Sequence, residues 1–334
     1  MIISRTPFRI SFFGGGTDYP AWYQENGGTV LATTIDKYCY ISCRYLPPFF
    51  EHKYRIVYSK VENVKEISAI VHPAVKAALE YLKIEEGVEI HHDGDLPART
   101  GIGSSSSFTV GLLHTIYALK GMMPTKKRLA IEAIHIERNI LKEHGGCQDQ
   151  VLAAMGGFNK VTFDREGNFQ MIPITISKER LQNLQDHLML YFTGFARDGF
   201  EIAKTQIENT PKKRSELSIM QQMVDEAISV LNSNDSIAEF GKMLHEAWKL
   251  KRSLSEKIST SQIDEIYEAA REAGALGGKL LGAGGGGFVL LFARPEEQPS
   301  IRQRLHGLLY VPFKFENHGT QIVVYEPNIT PNYF

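Results

Sequence analysis

The sequence predicts an α+β protein of two domains. The chain has 334 residues, of which 43% are hydrophobic, and this length exceeds that of a typical single domain. Strand-like and helical segments mix in both halves, without the strict strand–helix–strand repeat of a parallel α/β sheet. The sequence character changes around Gly156-Gly157, and a boundary is predicted near residues 175–185, which divides the chain into residues 1–180 and 181–334.

Strand predictions in the first half rest on clusters of β-branched and aromatic residues. They cover residues 2–4, 9–13, 29–35, 37–45, 54–58 and 88–92. Three helices are predicted among them: residues 73–82 beginning at a proline, residues 104–119, and a helix from Thr125 to about His144. Two glycines follow His144, in the manner of a glycine C-cap.

The second half is predicted to be rich in helix. Residues 158–163 and 169–174 form a predicted hairpin, and residues 187–192 form another strand. Residues 198–271 have an almost wholly helical pattern. A glycine-rich loop, a strand over residues 288–292, a helix and two further strands follow.

The composition excludes several classes of protein. Lys and Arg number 37, and Asp and Glu number 38, so the formal net charge of −1 gives no basic excess for nucleic acid. No apolar run approaches the roughly 18 residues of a membrane span, and the N-terminus has no secretory signal pattern. Three cysteines argue against a disulfide framework. We expect a soluble cytoplasmic protein without nucleic acid or membrane partners, and its oligomeric state stays open.

The first of three glycine-rich segments precedes the helix predicted over residues 104–119. Gly101 and Gly103 let the backbone approach a ligand closely, and four serines, Ser104 to Ser107, begin the helix. A helix N-terminus carries unpaired N–H groups and about half a positive charge, so it favours a bound phosphate. A capping serine after a turn is the alternative, but a cap needs only one serine.

The second segment, residues 282–287, reads GAGGGG. It satisfies the dinucleotide-binding pattern G-x-G-x-x-G, but a helix precedes it and a strand follows it, the reverse of what that motif needs. A loop that closes over phosphates or supports a neighbouring backbone fits better, and a glycine turn without a ligand is the alternative. No Walker A loop is present, because Lys279 is followed by Leu280 instead of Ser or Thr.

The third segment, residues 12–19, reads FFGGGTDY. Glycines between a strand and an aromatic residue predict another close approach of the backbone. Asp18 follows them, and a carboxylate is a good acceptor for sugar hydroxyls. A tight turn closed by an Asx hydrogen bond is the alternative interpretation.

These three segments, in this order, resemble the motifs of the GHMP family of small-molecule kinases. Residues 97–106, PARTGIGSSS, resemble the family pattern P-x-x-x-G-L-G-S-S-A. Residues 6–18 resemble its first motif and residues 279–287 its third. Residues 146–150, GCQDQ, resemble the segment that carries the catalytic aspartate. The resemblance spans nearly the whole chain.

The resemblance implies a two-domain fold. The N-terminal α+β domain would resemble ribosomal protein S5 domain 2, and the C-terminal domain would be ferredoxin-like, with ATP and substrate in the cleft between them. The residues that the resemblance assigns to ATP are Gly101, Gly103, Ser104, Ser105, Ser106, Gly284 and Gly285.

The resemblance also implies roles in phosphoryl transfer. Asp149 would orient or deprotonate the acceptor hydroxyl, and Arg9 would lie near the transferred phosphoryl group. Glu137 and Ser105 would bind Mg²⁺, which prefers few carboxylates together with phosphate oxygens. Such a set is sensible, because phosphoryl transfer needs positioning and charge neutralisation more than covalent work by the protein.

The first motif departs from that of galactokinases in the family. Gly15 and Gly16 stand where those enzymes carry Glu-His, while Asp18 is kept. The change favours a larger or anionic substrate. Here the sequence resembles the members that act on D-glycero-D-manno-heptose 7-phosphate, at the anomeric hydroxyl, in bacterial surface-polysaccharide synthesis. We expect Arg197 to bind the sugar phosphate, with Arg99 as the second choice.

Two alternatives to a heptose-phosphate kinase stay open at this stage. One is another sugar kinase of the family, acting on a fucose-like or galactose-like sugar. The other is a non-catalytic sugar sensor built on the same fold. Loss of Asp149 or Glu137 would favour the sensor, and both residues are present.

Overall fold

The computed structural model describes residues 1–194 and 199–327. Within these ranges the strands are β1 (Ile2–Phe13), β2 (Gly28–Tyr45), β3 (Tyr54–Val57), β4 (Val61–Val64), β5 (Val88–Gly94), β6 (Phe158–Phe163), β7 (Phe169–Pro173), β8 (Leu188–Phe192), β9 (Gly277–Leu280), β10 (Phe288–Phe292), β11 (Leu309–Tyr310), β12 (Phe315–Glu316) and β13 (Gln321–Tyr325).

The α-helices in the same ranges are α1 (Pro20–Asn26), α2 (Pro73–Tyr81), α3 (Ser104–Leu119), α4 (Lys126–His135), α5 (Gln148–Met155), α6 (Lys178–Asp186), α7 (Gly199–Asn209), α8 (Arg214–Asn232), α9 (Ala238–Ser253), α10 (Ser261–Glu272) and α11 (Gln298–Arg304). Short 3₁₀ turns cover residues 67–69 and 210–212, and a π-helical turn covers Ile136–Ile140. None of the described helices is both long enough and apolar enough to span a bilayer.

The first sheet is built around β2, which pairs with β1, β5, β6 and β12. Strand β1 is continuous through Pro7, although the sequence predicted two shorter strands there. The register shifts between Pro7 and Phe8, whose partners on β2 are Tyr38 and Ile35. Such an irregularity tolerates the missing N–H of a proline, so the strand continues past it.

The second sheet has four antiparallel strands in the order β11-β8-β10-β9. Numbered along the chain, this spatial order is fourth, first, third, second. Helices lie between the first and second strands and between the third and fourth. The arrangement is that of a ferredoxin-like domain, which confirms the fold expected for the second half.

The chain returns to the first sheet after it has completed the second. Strand β12 pairs with β2, and β13 pairs with β1, with Gln321 opposite Arg5 and Tyr325 opposite Ile2. The predicted division at residue 180 places these strands in the second domain, whereas their pairing lies in the first. Composition along the chain cannot reveal this, because the pairing joins residues about 280 positions apart for β12 and more than 300 apart for β13.

The helix predicted from Thr125 to about His144 is shorter than expected. Helix α4 ends at His135, and one π-helical turn carries the chain to Ile140. The chain then leaves the helix, with Lys142 at a left-handed φ of 59°, and passes so close to Asp18 that a Cβ at Gly146 would lie 1.7 Å from its Oδ2. This turn sets the position of Glu137, and π-helical turns are common at functional sites.

Buried aromatic rings join the two sheets. Phe240 of α9 packs edge-on against Phe12 and Phe13 at the end of β1, with ring centroids 5.6 and 5.1 Å apart. On its other side Phe240 contacts Phe292 of β10 at 6.0 Å. All four rings are buried. The end of β1, which carries the first glycine motif, is therefore fixed against the second domain.

Candidate active site

A cavity opens where the end of β1, the N-terminus of α3, the start of α5 and the glycine loop after β9 meet. Most of the residues predicted for the site line it: Arg9, Gly15, Gly16, Asp18, Gly101, Gly103, Ser104, Ser105, Ser106, Glu137, Asp149 and Gly284. Gly285 donates its N–H to the Ile258 carbonyl at 2.9 Å. Arg197 lies outside the described residues, so its role stays a prediction.

Arg9 and Asp149 form a bidentate ion pair at this cavity. Nε and Nη2 of Arg9 donate to the two carboxylate oxygens of Asp149, each at 2.7 Å. The third guanidinium nitrogen, Nη1, donates to the Gly101 carbonyl at 2.6 Å. Arg9 is buried, while the Asp149 side chain keeps 24% of its surface exposed. The pair therefore fixes the Asp149 carboxylate in one orientation and leaves it accessible from the cavity.

Asp18 is fully buried beside this pair. Its Oδ1 accepts from the Gly16 N–H at 3.0 Å, and its Oδ2 accepts from the Gln148 N–H at 3.3 Å. Burial raises the pKa of the carboxyl, and the negative charge of Asp149 raises it further. A tight turn is present, closed by the Thr17 N–H and the Gly14 carbonyl at 3.0 Å, but Gly16 precedes Asp18, so the bond between them is not the expected Asx bond. The bond from Gln148 orients Asp18 toward the segment that carries Asp149.

The N-terminus of α3 faces the cavity without a side-chain cap. Gly103 occupies the cap position in a left-handed conformation with φ 75°. Ser104 accepts from the Arg99 N–H at 3.0 Å, and Ser107 donates to the Pro7 carbonyl at 2.9 Å. Ser105 is exposed. The helix N–H groups are thus available to an anion, as predicted for a phosphate-binding helix.

The two glycine-rich loops meet backbone to backbone. A Cβ at Gly282 would lie 2.3 Å from the Cα of Gly101, and a Cβ at Gly287 would lie 2.1 Å from the Thr100 carbonyl. The N–H of Phe288 donates to that same carbonyl at 3.2 Å. The GAGGGG loop therefore supports the backbone that begins α3, which was one of the two roles expected for it.

Glu137 offers one carboxylate oxygen to a ligand. Its Oε2 accepts from Ser106 at 2.9 Å and from the side chain of Gln150. Its Oε1 has no partner among residues 1–194 and 199–327. Burial raises the pKa of Glu137 to about 7. A cation at Oε1 would satisfy this orphaned oxygen, so the residues present fit Mg²⁺.

The serine in contact with Glu137 is Ser106, a residue that the sequence analysis assigned to ATP. No group of three or more His, Cys, Asp or Glu in the described ranges could hold a metal by itself. A magnesium ion here would depend on phosphate oxygens of the nucleotide, as Mg²⁺ sites in kinases commonly do. Mg²⁺ would neutralise phosphate charge, and the role of Ser105 stays a prediction.

Replacing Glu137 with Gln is expected to raise the Mg²⁺ concentration for half-maximal rate by about tenfold or more. The amide removes the negative charge and presents a donor to the bound ion. Ser106→Ala should have a smaller effect in the same direction, because the Glu137 carboxylate would lose the hydrogen bond from Ser106 that orients it. Titrating Mg²⁺ against rate measures both, with metal-free ADP binding as the control. An unchanged Mg²⁺ requirement in Glu137→Gln would contradict the role.

Two buried lysines line the cavity, and the sequence did not predict a site role for either. Lys251 lies on α9 and Lys279 on β9, and both line the site. The sequence contains an indication for Lys251: it lies in helical register with the apolar residues Leu244 and Trp248, on the buried face of α9. A lysine at a position where an amphipathic helix calls for an apolar residue indicates a specific role.

Gly15 and Gly16 of the first motif are predicted to leave space for a substrate. The structure has room for a side chain at Gly15 but not at Gly16. A Cβ at Gly15 would meet only Ser11 Oγ at 3.8 Å and Gln148 Nε2 at 4.0 Å. At Gly16, with φ 105°, a Cβ would lie 2.8 Å from Nε2 of Gln206. Gly16 is therefore required by the turn, whereas Gly15 leaves room beside polar side chains.

These polar side chains were also missed in the sequence. Ser11, Gln148 and Gln206 line the cavity. Ser11 Oγ and Gln148 Oε1 are buried and have no partner within the described ranges. Buried polar atoms normally find a hydrogen-bond partner, so these two are positioned to meet the hydroxyl groups of a ligand.

Two family models match the chain. The GHMP kinases N terminal domain matches residues 69–157, and the GHMP kinases C terminal model matches residues 223–310. Together they cover more than half of the chain. The first match contains the serine-rich helix start and the segment with Asp149, and the second contains the GAGGGG loop.

Two named relatives are similar over 90% or more of this chain. D-glycero-alpha-D-manno-heptose 7-phosphate kinase of Campylobacter jejuni is 27% identical over 91% of this chain and 93% of its own. The bifunctional fucokinase/GDP-fucose pyrophosphorylase of Arabidopsis thaliana is 25% identical over 90% of this chain and 30% of its own.

Solved structures share the fold. A crystal structure of a D-glycero-D-manno-heptose 1-phosphate kinase from Bacteroides thetaiotaomicron covers 98% of this chain and 100% of its own, with a TM-score of 0.78 and 22% identity. Lactococcus lactis galactokinase complexed with galactose covers 96% of this chain and 94% of its own, with a TM-score of 0.74 and 17% identity. With both family models matched in order across the two domains, the chain belongs to the GHMP kinase family and is a phosphotransferase.

Proposed function

We propose that this kinase transfers the γ-phosphoryl group of ATP to the anomeric hydroxyl of D-glycero-D-manno-heptose 7-phosphate. The product would be the 1,7-bisphosphate, an intermediate for nucleotide-heptoses of bacterial surface polysaccharides. The observation that carries the proposal is the Arg9–Asp149 pair, which shares one cavity with Asp18 and the open N-terminus of α3. Similarity to the Campylobacter jejuni heptose 7-phosphate kinase supports the choice of sugar.

The donor side of the reaction belongs to the first domain. The N–H groups at the start of α3 would bind ATP phosphates, since a helix N-terminus favours negative charge. Glu137, oriented by Ser106, would hold Mg²⁺ beside them. The close backbone contact with the GAGGGG loop would hold the helix start in place for these phosphate contacts.

The acceptor side centres on Asp149. Each of its oxygens accepts one hydrogen bond from Arg9, and a carboxylate oxygen has a second lone pair free for the sugar hydroxyl. Asp149 would therefore orient the hydroxyl and take its proton as the oxygen attacks phosphorus. Arg9 would balance the negative charge that accumulates around the transferred group.

The sugar itself would lie against uncharged polar groups and one buried carboxyl. Ser11 Oγ and Gln148 Oε1 would exchange hydrogen bonds with its hydroxyls, and Asp18 would accept from another. The room at Gly15 would admit the longer carbon chain of a heptose.

Gly15→Glu is expected to lower kcat/KM for heptose 7-phosphate selectively. The new side chain would fill the room beside Ser11 and add a negative charge that repels the phosphate. The measurement is kcat/KM with heptose 7-phosphate and with unphosphorylated heptose, for the wild type and the variant. Gly15→Gln is the matched control, because it adds the same volume without charge. Equal kcat/KM of the wild type for the two sugars would refute the sugar-phosphate assignment.

Another sugar kinase of the same family is the second candidate. It is favoured by the similarity to 30% of the bifunctional fucokinase/GDP-fucose pyrophosphorylase of Arabidopsis thaliana. A kinase screen across sugars and sugar phosphates, with the position of the new phosphate determined by NMR, separates the two. If no sugar or sugar phosphate changes the rate of ATP hydrolysis and no phosphorylated sugar is formed, a non-catalytic sensor is favoured instead.

A further inference from the structure

Lys251 and Lys279 bring two ammonium groups into the cavity from the second domain. The residues are only 5% and 3% exposed. Neither forms an ion pair with a carboxylate within residues 1–194 and 199–327. Lysine is rarely buried without a partner, because removing an ammonium group from water is costly. A buried amine in this position becomes charged most favourably when an anion binds beside it.

The hydrogen bonds of the two lysines are made to backbone carbonyls. Lys251 Nζ donates to the carbonyl of Gly282 and, at 3.5 Å, to that of Leu280. Lys279 Nζ donates to the carbonyl of Phe12 at 2.9 Å. An ammonium group has three donors, so each lysine retains at least one for a ligand.

The nearby carboxylates are already occupied by other groups. Both oxygens of Asp149 accept from Arg9 at 2.7 Å. Asp18 accepts backbone N–H groups from Gly16 and Gln148. Two further basic groups therefore lie at the edge of a site in which Arg9 is already paired with Asp149.

We propose that Lys251 and Lys279 form an anion subsite that binds the oxygens of a phosphoryl group. This subsite belongs to the second domain and is separate from the N-terminus of α3, which lies on the first. Lysine suits this role because its compact charge binds phosphate without requiring the planar geometry of arginine. The inference rests on the proposed function only for the identity of the sugar.

The phosphoryl group can come from two sources. It is either the γ-phosphoryl group in transfer from ATP or a phosphate that the sugar already carries. Both have the same oxygen chemistry, so affinity measurements must distinguish them. The proposal requires that at least one of them depends on the lysines.

The first experiment measures affinity by calorimetry in Lys251→Met and Lys279→Met. The probes are heptose 7-phosphate, unphosphorylated heptose, and the non-hydrolysable ATP analogue AMPPNP with Mg²⁺. Lys249→Met is the matched control, because Lys249 lies on the same helix but is exposed and paired with Glu246. Methionine keeps the length of the buried stem and removes the charge.

We expect one of the two phosphoryl-bearing probes to bind about 10- to 100-fold more weakly in the lysine variants. Heptose affinity should stay within about twofold of wild type, as should all affinities in Lys249→Met. A loss with heptose 7-phosphate assigns the subsite to the sugar phosphate, and a loss with AMPPNP assigns it to the transferred group. No loss with either, or an equal loss with heptose, would overturn the subsite.

The second experiment varies the pH. It does not require a variant that removes the lysine charge, such as Lys251→Met, to fold. Burial lowers the pKa of Lys251 to about 8, and the positive charge of Arg9 contributes. The pKa of Lys279 is lowered by burial and by the charge of Lys251. Asp18 and Asp149 oppose the shift at Lys251. As pH rises through about 8, the free protein loses the ammonium charge, so affinity for the phosphoryl ligand should fall.

Lys251→Arg keeps its charge at every accessible pH and should lose this dependence. Identical affinity–pH profiles for wild type and Lys251→Arg between pH 7 and 9 would contradict the proposal. Turnover of heptose 7-phosphate by the wild type tests the proposed function separately. If that turnover is absent while Lys251→Met still weakens AMPPNP, the sugar assignment fails and the subsite stands.

Discussion

Replacing Asp149 with Asn is expected to lower kcat by about 10²–10⁴, the usual contribution of a positioned general base. The amide cannot take a proton from the acceptor hydroxyl. Nε and Nη2 of Arg9 each donate to one oxygen of this side chain. After the replacement, one of them would face the amide nitrogen, which is also a donor, so that hydrogen bond is lost. The orientation of the side chain therefore suffers together with its basicity.

The measurement is kcat under saturating ATP and sugar phosphate, with nucleotide affinity determined in parallel. Nucleotide affinity should change little, because the replacement is almost isosteric. Thermal stability should fall, because the buried Arg9 loses its ionised partner, so kcat is measured at a temperature where the variant is folded. Asp225→Asn is the matched control, since Asp225 forms an exposed ion pair with Lys160 away from the cavity. A kcat within a few-fold of wild type would remove Asp149 from the chemical step.

Gly282→Ala is expected to lower the melting temperature by about 4–20 °C. A Cβ there would lie 2.3 Å from the Cα of Gly101, and the residue has a left-handed φ of 72°. The conformation costs an alanine about 1–2 kcal/mol, and overpacking costs about 1–3 kcal/mol more. Each kcal/mol corresponds to about 2–4 °C in proteins somewhat smaller than this one. The displaced loop should also weaken nucleotide binding.

Differential scanning calorimetry and AMPPNP titration measure these two effects. Gly307→Ala is the control, because a Cβ at Gly307 meets nothing within 4 Å. Nearly equal melting temperatures for the two alanine variants would show that the loops can separate without cost. The support of α3 by the GAGGGG loop would then lose its structural basis.

The sequence was most informative where a local pattern determines local structure. Helix α3 has the bounds that residues 104–119 predicted, because a glycine pair and a run of serines define its start. The motifs also predicted that Arg9, Asp18, Glu137 and Asp149 would share one site, and the structure brings all four to the cavity.

The sequence failed where distant contacts override local preference. Pro7 suggested a break, but pairing with β2 on both sides of it continues the strand. The helix through Glu137 was predicted to continue, but the loop after it must approach Asp18. Lys251 received no predicted role, although its helical register with Leu244 and Trp248 places it on the buried face of α9. Each error concerns a position whose environment is built by residues far along the chain.

The return of β12 and β13 to the first sheet has a consequence for biosynthesis. On the ribosome, residues 1–180 emerge first, yet the partner of β1 at positions 2–5 lies at positions 321–325. Until that segment is synthesised, the outer edge of β1 presents unpaired N–H and C=O groups, a common starting point for aggregation. The nascent first domain can collapse early but can close its sheet only after the ferredoxin-like domain has been translated, so completion of the fold is necessarily a late event.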